Sequence, residues 1–171
     1  MVVFREFIMI KKMILILVSI WWGWTVIIDF AVVPTVFSII NDFFNAGELG
    51  VALFSKLNIF ELVVSSLLLI IASSYLLIYK KQKTTFALIL SAWIITLIYF
   101  FYLTPKLILL TELWKKADAA NLIGISGISD IQQEHQFFHK IYVTVDSLKL
   151  LILSIILGLQ IVKKERSLES T

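Results

Sequence analysis

The chain has no cysteine, and its 171 residues include only two prolines, two histidines and six glycines. Without cysteine there are no disulfides, no thiol redox chemistry and no thiolate metal sites. All three methionines, Met1, Met9 and Met13, lie near the N-terminus, so the later segments offer no thioether cluster for a soft metal. Charge is scarce as well. Asp, Glu, Lys and Arg make up 16% of the chain, against ~25% in a soluble domain. Nothing resembles a phosphate-binding glycine loop, a nucleophile–base pair or a kinase signature. No basic stripe with interleaved aromatics exists outside the apolar runs, so nucleic acid is not an expected partner.

What is present is hydrophobic, at 60% of positions. Four stretches are long enough for a hydrocarbon core of ~30 Å. They run from about Met13 to Phe37, Leu57 to Tyr79, Thr85 to Leu103 and Phe137 to Val162. Alternating segments of about ten residues, which a β-barrel would need, do not occur. The expected fold is therefore all-α, a four-helix transmembrane bundle in a single integral membrane domain, residues 1–171. No linker or repeat divides it. The short KKQK link makes the second and third spans an antiparallel hairpin.

Basic residues segregate. Arg5, Lys11 and Lys12 precede the first span, Lys80, Lys81 and Lys83 fill the middle link, and Lys163, Lys164 and Arg166 follow the last. With four crossings all of them fall on one side. The positive-inside rule then places both termini in the cytoplasm of a cell inner (plasma) membrane, in a multi-pass topology. A cleaved signal peptide does not fit the first span, which is too long, carries Trp21, Trp22 and Trp24, and lacks a small-x-small cleavage site.

Local breaks come next. Pro34 and Pro105 are read as structural kinks, since proline removes one backbone hydrogen bond from a helix. Asn41 to Gly50 reads as a turn with Gly47 and Gly50 as punctuators, and Thr104-Pro105-Lys106 as the end of the third helix. LILLTELWKK reads as an amphipathic surface helix with Trp114 as an interface anchor, and Ala117 to Asp130 as a polar loop.

The last span holds the most informative pattern. His135, His139, Tyr142, Asp146 and Lys149 fall within roughly 80° of one another at ~100° of rotation per residue. Leu153 and Gln160 extend the stripe. Ionisable residues in a span seldom face lipid, so the stripe is expected to meet other helices or a wet cavity. On the first span Trp22, Thr25 and Asp29 share a face, and on the second Asn58, Glu61 and Ser65 do. Asp29, Glu61, His139, Tyr142, Asp146 and Lys149 thus form a candidate binding cluster in the outer half of the bundle. Two readings stand: Asp146 and Lys149 as a self-neutralising pair with Asp29 and Glu61 as polar glue between helices, or a functional polar cavity. His135 and His139 have the i, i+4 spacing of two metal ligands, but no HExxH pattern accompanies them, and an interfacial hydrogen bond is the plainer role.

WWGWTVIIDFAVVPTVF, the NAGELG…LF turn, the TPKLI element and F-x-x-x-H-x-x-Y together resemble the transmembrane protein 205-like family, a domain of unknown function (number 4149). The family's first-span pattern falls here on Trp21 or Trp22, Gly23, Phe30, Pro34 and Phe37, and its Ala-Gly pair on Ala46-Gly47. Its proline after the third span falls on Pro105, and its histidine followed seven positions on by Asn or Asp on His139 and Asp146. The chain departs from the pattern at Lys140, and His135 lies outside it. The resemblance covers Trp21 to Leu159 and implies an uncharacterised four-span membrane protein. More distantly, the family resembles four-helix membrane proteins linked to copper resistance and haem synthesis. The resulting expectation is a non-enzymatic protein with no cofactor, binding or passing a small polar species or supporting a membrane partner. Its partners would be the lipid bilayer, a second copy or another membrane protein. The alternative is a redox protein holding haem or a metal at His139.

Overall fold

A computed structural model describes residues 2–79, 82–120 and 126–168, with side chains for 8–42, 45–77, 82–120 and 129–161. The side chains of Arg5, Lys80, Lys81, Lys163, Lys164 and Arg166, on which the charge-based orientation rests, lie outside the described residues. Among the described residues every regular element is helical: α1 (Val2–Ile27), α2 (Val33–Ile39), α3 (Phe43–Tyr79), α4 (Lys83–Ile98), α5 (Thr104–Ala119) and α6 (Ser126–Leu168). Single π-helical turns, Ile28–Val32 and Tyr99–Leu103, join α1 to α2 and α4 to α5. Four continuous rods result, each long and apolar enough to cross a membrane: Ile8–Ile39, Asn45–Leu77, Lys83–Ala119 and Ser129–Ile161. The fold is an all-α, four-helix transmembrane bundle.

Three local readings of the sequence are corrected. Asn41 to Gly50 is not a turn. Asp42 caps α3, its carboxylate accepting the backbone N–H of Asn45 at 3.1 Å and the Asn45 side-chain amide at 3.1 Å. With that orphan donor satisfied, the helix starts at Phe43 and runs through both glycines. Thr104-Pro105 does not end the third rod either. A proline ring clashes with the carbonyl four residues back in an α-helix. A widened turn just before each proline relieves this: Val33 N–H donates to the Ile28 carbonyl ahead of Pro34, and Thr104 N–H to the Tyr99 carbonyl ahead of Pro105. LILLTELWKK therefore belongs to the third rod, within α5. Finally, the polar loop expected over Ala117 to Asp130 is mostly helix, α5 reaching Ala119 and α6 starting at Ser126; residues 121–125 lie outside the described residues.

The rods form a ring. α3 and α6 stand opposite each other, and each packs against α1, α4 and α5. Near the termini the interior is apolar, with Ile14, Val18, Trp21, Leu68, Ile89 and Leu153 buried. Gln160 closes this end on Thr85 and Gln82, both at 3.4 Å. At the far end Lys106 pairs with Glu134 at 2.8 Å, and Lys115 pairs with Glu48. The outside carries Ile20, Ile27, Leu77, Phe101 and Leu151, all exposed, whereas Thr25, Asn58, Glu61, Asp146 and Lys149 are buried. Apolar outside and polar within is the arrangement a bilayer solvent favours.

A few residues recur at matching places in the two hairpins. One shift along the chain carries Trp22 to Trp93, Thr25 to Thr96, the first π turn to the second, and Pro34 to Pro105. Another carries Ser66 to Ser154 and Leu68 to Ile156. The bonds follow. Trp22 Nε1 donates to Ser154 Oγ at 3.0 Å, and Trp93 Nε1 to Ser66 Oγ at 3.1 Å. Thr25 and Thr96 donate to the carbonyls of Trp21 and Ala92, each at 3.0 Å. The two hairpins thus share these tryptophan–serine and threonine–carbonyl contacts. The same shifts pair Asp29 with Phe100, Asn58 with Asp146 and Glu61 with Lys149. The halves agree in their packing residues and diverge in their charged ones.

Candidate functional site

Each π turn sits at mid-bundle and aims one polar residue inward. Asp29 lies in the first and Tyr99 in the second, the latter fully buried. On α3, Asn58 and Glu61 are one turn apart on the face turned to the axis, and on α6 so are Tyr142, Asp146 and Lys149; all five are buried. Five of the six residues proposed from sequence, Asp29, Glu61, Tyr142, Asp146 and Lys149, therefore lie close together, whereas His139 is exposed and stands apart from them.

Lys149 is its centre. Its ammonium is fully buried and donates to Glu61 Oε1 at 2.6 Å and Asp146 Oδ1 at 2.6 Å. It also lies 5.1 Å from the centre of the Tyr99 ring, within cation–π range. Thr25 Oγ1 donates to Glu61 Oε1 at 3.0 Å. Asp29 and Asp146 border the same cavity. The region thus holds three carboxyl groups and one ammonium. The ion pair within α6 follows from the i, i+3 spacing, but the Glu61 partner crosses from the opposite helix. Two carboxyl oxygens, Asp29 Oδ2 and Glu61 Oε2, are buried with no hydrogen-bond partner. Unsatisfied oxygens of this kind are uncommon in native interiors and mark places where water, an ion or a ligand fits.

A neutral layer adjoins the ions. The Tyr99 and Tyr142 rings stack with centroids 4.5 Å apart, and the Tyr99 hydroxyl donates to the Tyr142 carbonyl at 3.0 Å. The Tyr142 hydroxyl donates to Asn58 Oδ1 at 3.4 Å, and Asn58 Nδ2 to Thr104 Oγ1 at 2.5 Å. All four rods contribute to this layer or to the ion cluster.

Above it, towards the far end, opens a pocket of about 650 Å³, within the range of small-molecule sites. Asp29, Tyr142 and Asp146 line its inner part, Phe30, Val33, Phe54 and Leu107 its walls, and Trp114, His135 and His139 its outer part. Glu61 and Lys149 lie behind this lining. Pro34 and Pro105 do not line the pocket; they are exposed, while their neighbours Val33 and Thr104 do line it. His135 is helical, and its ring lies nearly parallel to that of His139, 9° apart with centroids at 6.3 Å. Thr111 Oγ1 lies 3.2 Å from His135 Nε2. Trp114 sits 5.5 Å from His135 by ring centroids, so it faces the pocket instead of serving only as an interface anchor. Among the described residues no three His, Asp or Glu side chains are grouped to hold a metal ion.

Sequence reasoning missed three contributors: Tyr99, Thr104 and Trp114. The signal for the first two was present in the phase of the Pro105 region. That phase is lost once the proline is taken as a helix end.

Residues 16–116 match a family described as a domain of unknown function (DUF4149). No curated protein and no solved structure matches the chain.

Proposed function

The chain belongs to the DUF4149 family, and from that premise we propose a non-enzymatic integral membrane protein that binds a small molecule bearing a polar group in its pocket. The bound species is either passed along or presented to a membrane partner. The observation that carries this reading is a pocket of about 650 Å³ lined in its inner part by Asp29 and Asp146, where one Asp29 carboxyl oxygen, Oδ2, is buried without a hydrogen-bond partner. The difference between the two hairpins supports it: the tryptophan–serine contacts recur in both, whereas the charged groups are particular to one or the other. The likeness to transmembrane protein 205-like proteins belongs to the same proposal. So do cytoplasmic termini and residence in a cell inner membrane, supported by the nine basic residues at one end. The pocket then opens outward.

A second reading is favoured by one observation, the two parallel imidazoles lining the pocket. One axial histidine suffices for haem, so His139 is the candidate ligand. A haem absorbance band in the purified, detergent-solubilised protein supports that reading.

His139→Gln tests the leading one. Glutamine keeps size and some hydrogen bonding but does not titrate near neutral pH. The variant is expected to insert and unfold like the parent, yet fail to restore the phenotype of a full deletion. Full restoration assigns His139 to structure.

A further inference from the structure

The balance of charge around the pocket, set against the chemistry of its walls, narrows the ligand class. This rests on the pocket reading above. Lys149 donates to Glu61 and Asp146, at 2.6 Å each, and is not among the residues that line the pocket. No lysine or arginine lines the pocket. The acidic groups there are Asp29 and Asp146. With all three carboxyls ionised, the cluster carries two more negative than positive charges. A proton on any one of the three still leaves one negative charge uncompensated. An anion entering this pocket meets a carboxylate and no free cation. A small inorganic cation would leave most of an apolar pocket unfilled. Phe30, Val33, Phe37, Phe54 and Leu107 instead offer surface for a hydrocarbon or aromatic body, with Trp114 at the outer part as a further ring.

We infer that the pocket binds an organic monocation, an ammonium head on an apolar body, with the head against Asp29 and the body along the phenylalanine walls. The head supplies the donor that Asp29 Oδ2 lacks and the positive charge the cluster is short of. Aromatic walls add cation–π attraction where the head passes them.

A ligand series with one body and three heads reads the charge directly. 4-Phenylbutylamine, 4-phenylbutanol and 4-phenylbutyrate are titrated at pH 7 onto the full chain in lipid nanodiscs, with empty nanodiscs subtracted for partitioning. Binding is followed by calorimetry. The amine is expected to bind saturably and at least about tenfold more tightly than the alcohol, as for a charge-assisted hydrogen bond, and the carboxylate not at all. Two variants fix the place. Asp29→Asn keeps the shape and should reduce amine affinity about tenfold, with little change for the alcohol. Gly47 lines the pocket, and a Cβ built there meets nothing within 4 Å. Gly47→Leu should therefore fit into the helix, fill the pocket and weaken both ligands. Alcohol or carboxylate binding as tightly as the amine, and still blocked by Gly47→Leu, overturns the cation assignment and leaves the pocket reading standing. Amine binding unchanged in both variants overturns the two together. Absence of saturable binding by any of the three ligands overturns the assignment.

Discussion

Taking a lysine ammonium out of water costs several kcal/mol, and the cost is recovered only by close, well-oriented partners. Lys149 has two such partners on two helices, Glu61 and Asp146. Removing the ammonium strands both carboxylates, so Lys149→Met is expected to lower unfolding free energy by about 3–5 kcal/mol. Asp146→Asn leaves the Glu61 pair intact and should cost less, about 1–3 kcal/mol. Combining the two should cost less than their sum, because the second change removes a charge the first left unpaired. Denaturant unfolding in micelles reads all three. Strict additivity, or equal single effects, contradicts a coupled network. At this scale the sequence was partly legible. Asp146 and Lys149 are three apart on one helix, and their pairing needs nothing beyond helical periodicity. Lys149 with Glu61 joins opposite rods, and no single-chain periodicity carries the relative height of two helices.

Among the elements, the π turns link proline chemistry to the site. Each accommodates the following proline and, by carrying an extra residue in the turn, sets the phase of the helix beyond it. Asp29 and the wall residues Val33 and Phe37 take their positions from the first. Deleting the exposed Ala31 removes that extra residue and rotates α2 by about 100° against α1. The deletion is expected to lower the thermal midpoint far more than Ala31→Gly, which costs about 1 kcal/mol. Equal shifts for the two variants contradict this account of the turn. The existence of four rods was legible because long apolar runs admit few alternatives. Their internal detail was not. Glycine and proline signal turns in water, but in an apolar helix a cap at Asp42 and widened turns at Ile28 and Tyr99 keep the rods continuous. The recurring contacts escaped notice because they rest on sparse residues, Trp, Thr, Ser and Pro, whose partners appear only in three dimensions.

For the whole molecule, the account requires four crossings, the chain ends at one face and the pocket at the other. The basic residues set the sign of that arrangement, while the bundle sets only its geometry. Since the chain lacks cysteine, single cysteines report without background. Lys83 begins α4 near the termini, and Ala120 follows α5 at the pocket end; both are exposed. In intact cells an impermeant maleimide is predicted to label Ala120→Cys at once and Lys83→Cys only after the membrane is opened. Labelling of both from the same side contradicts the four-crossing bundle, and the reverse pattern turns the pocket toward the cytoplasm.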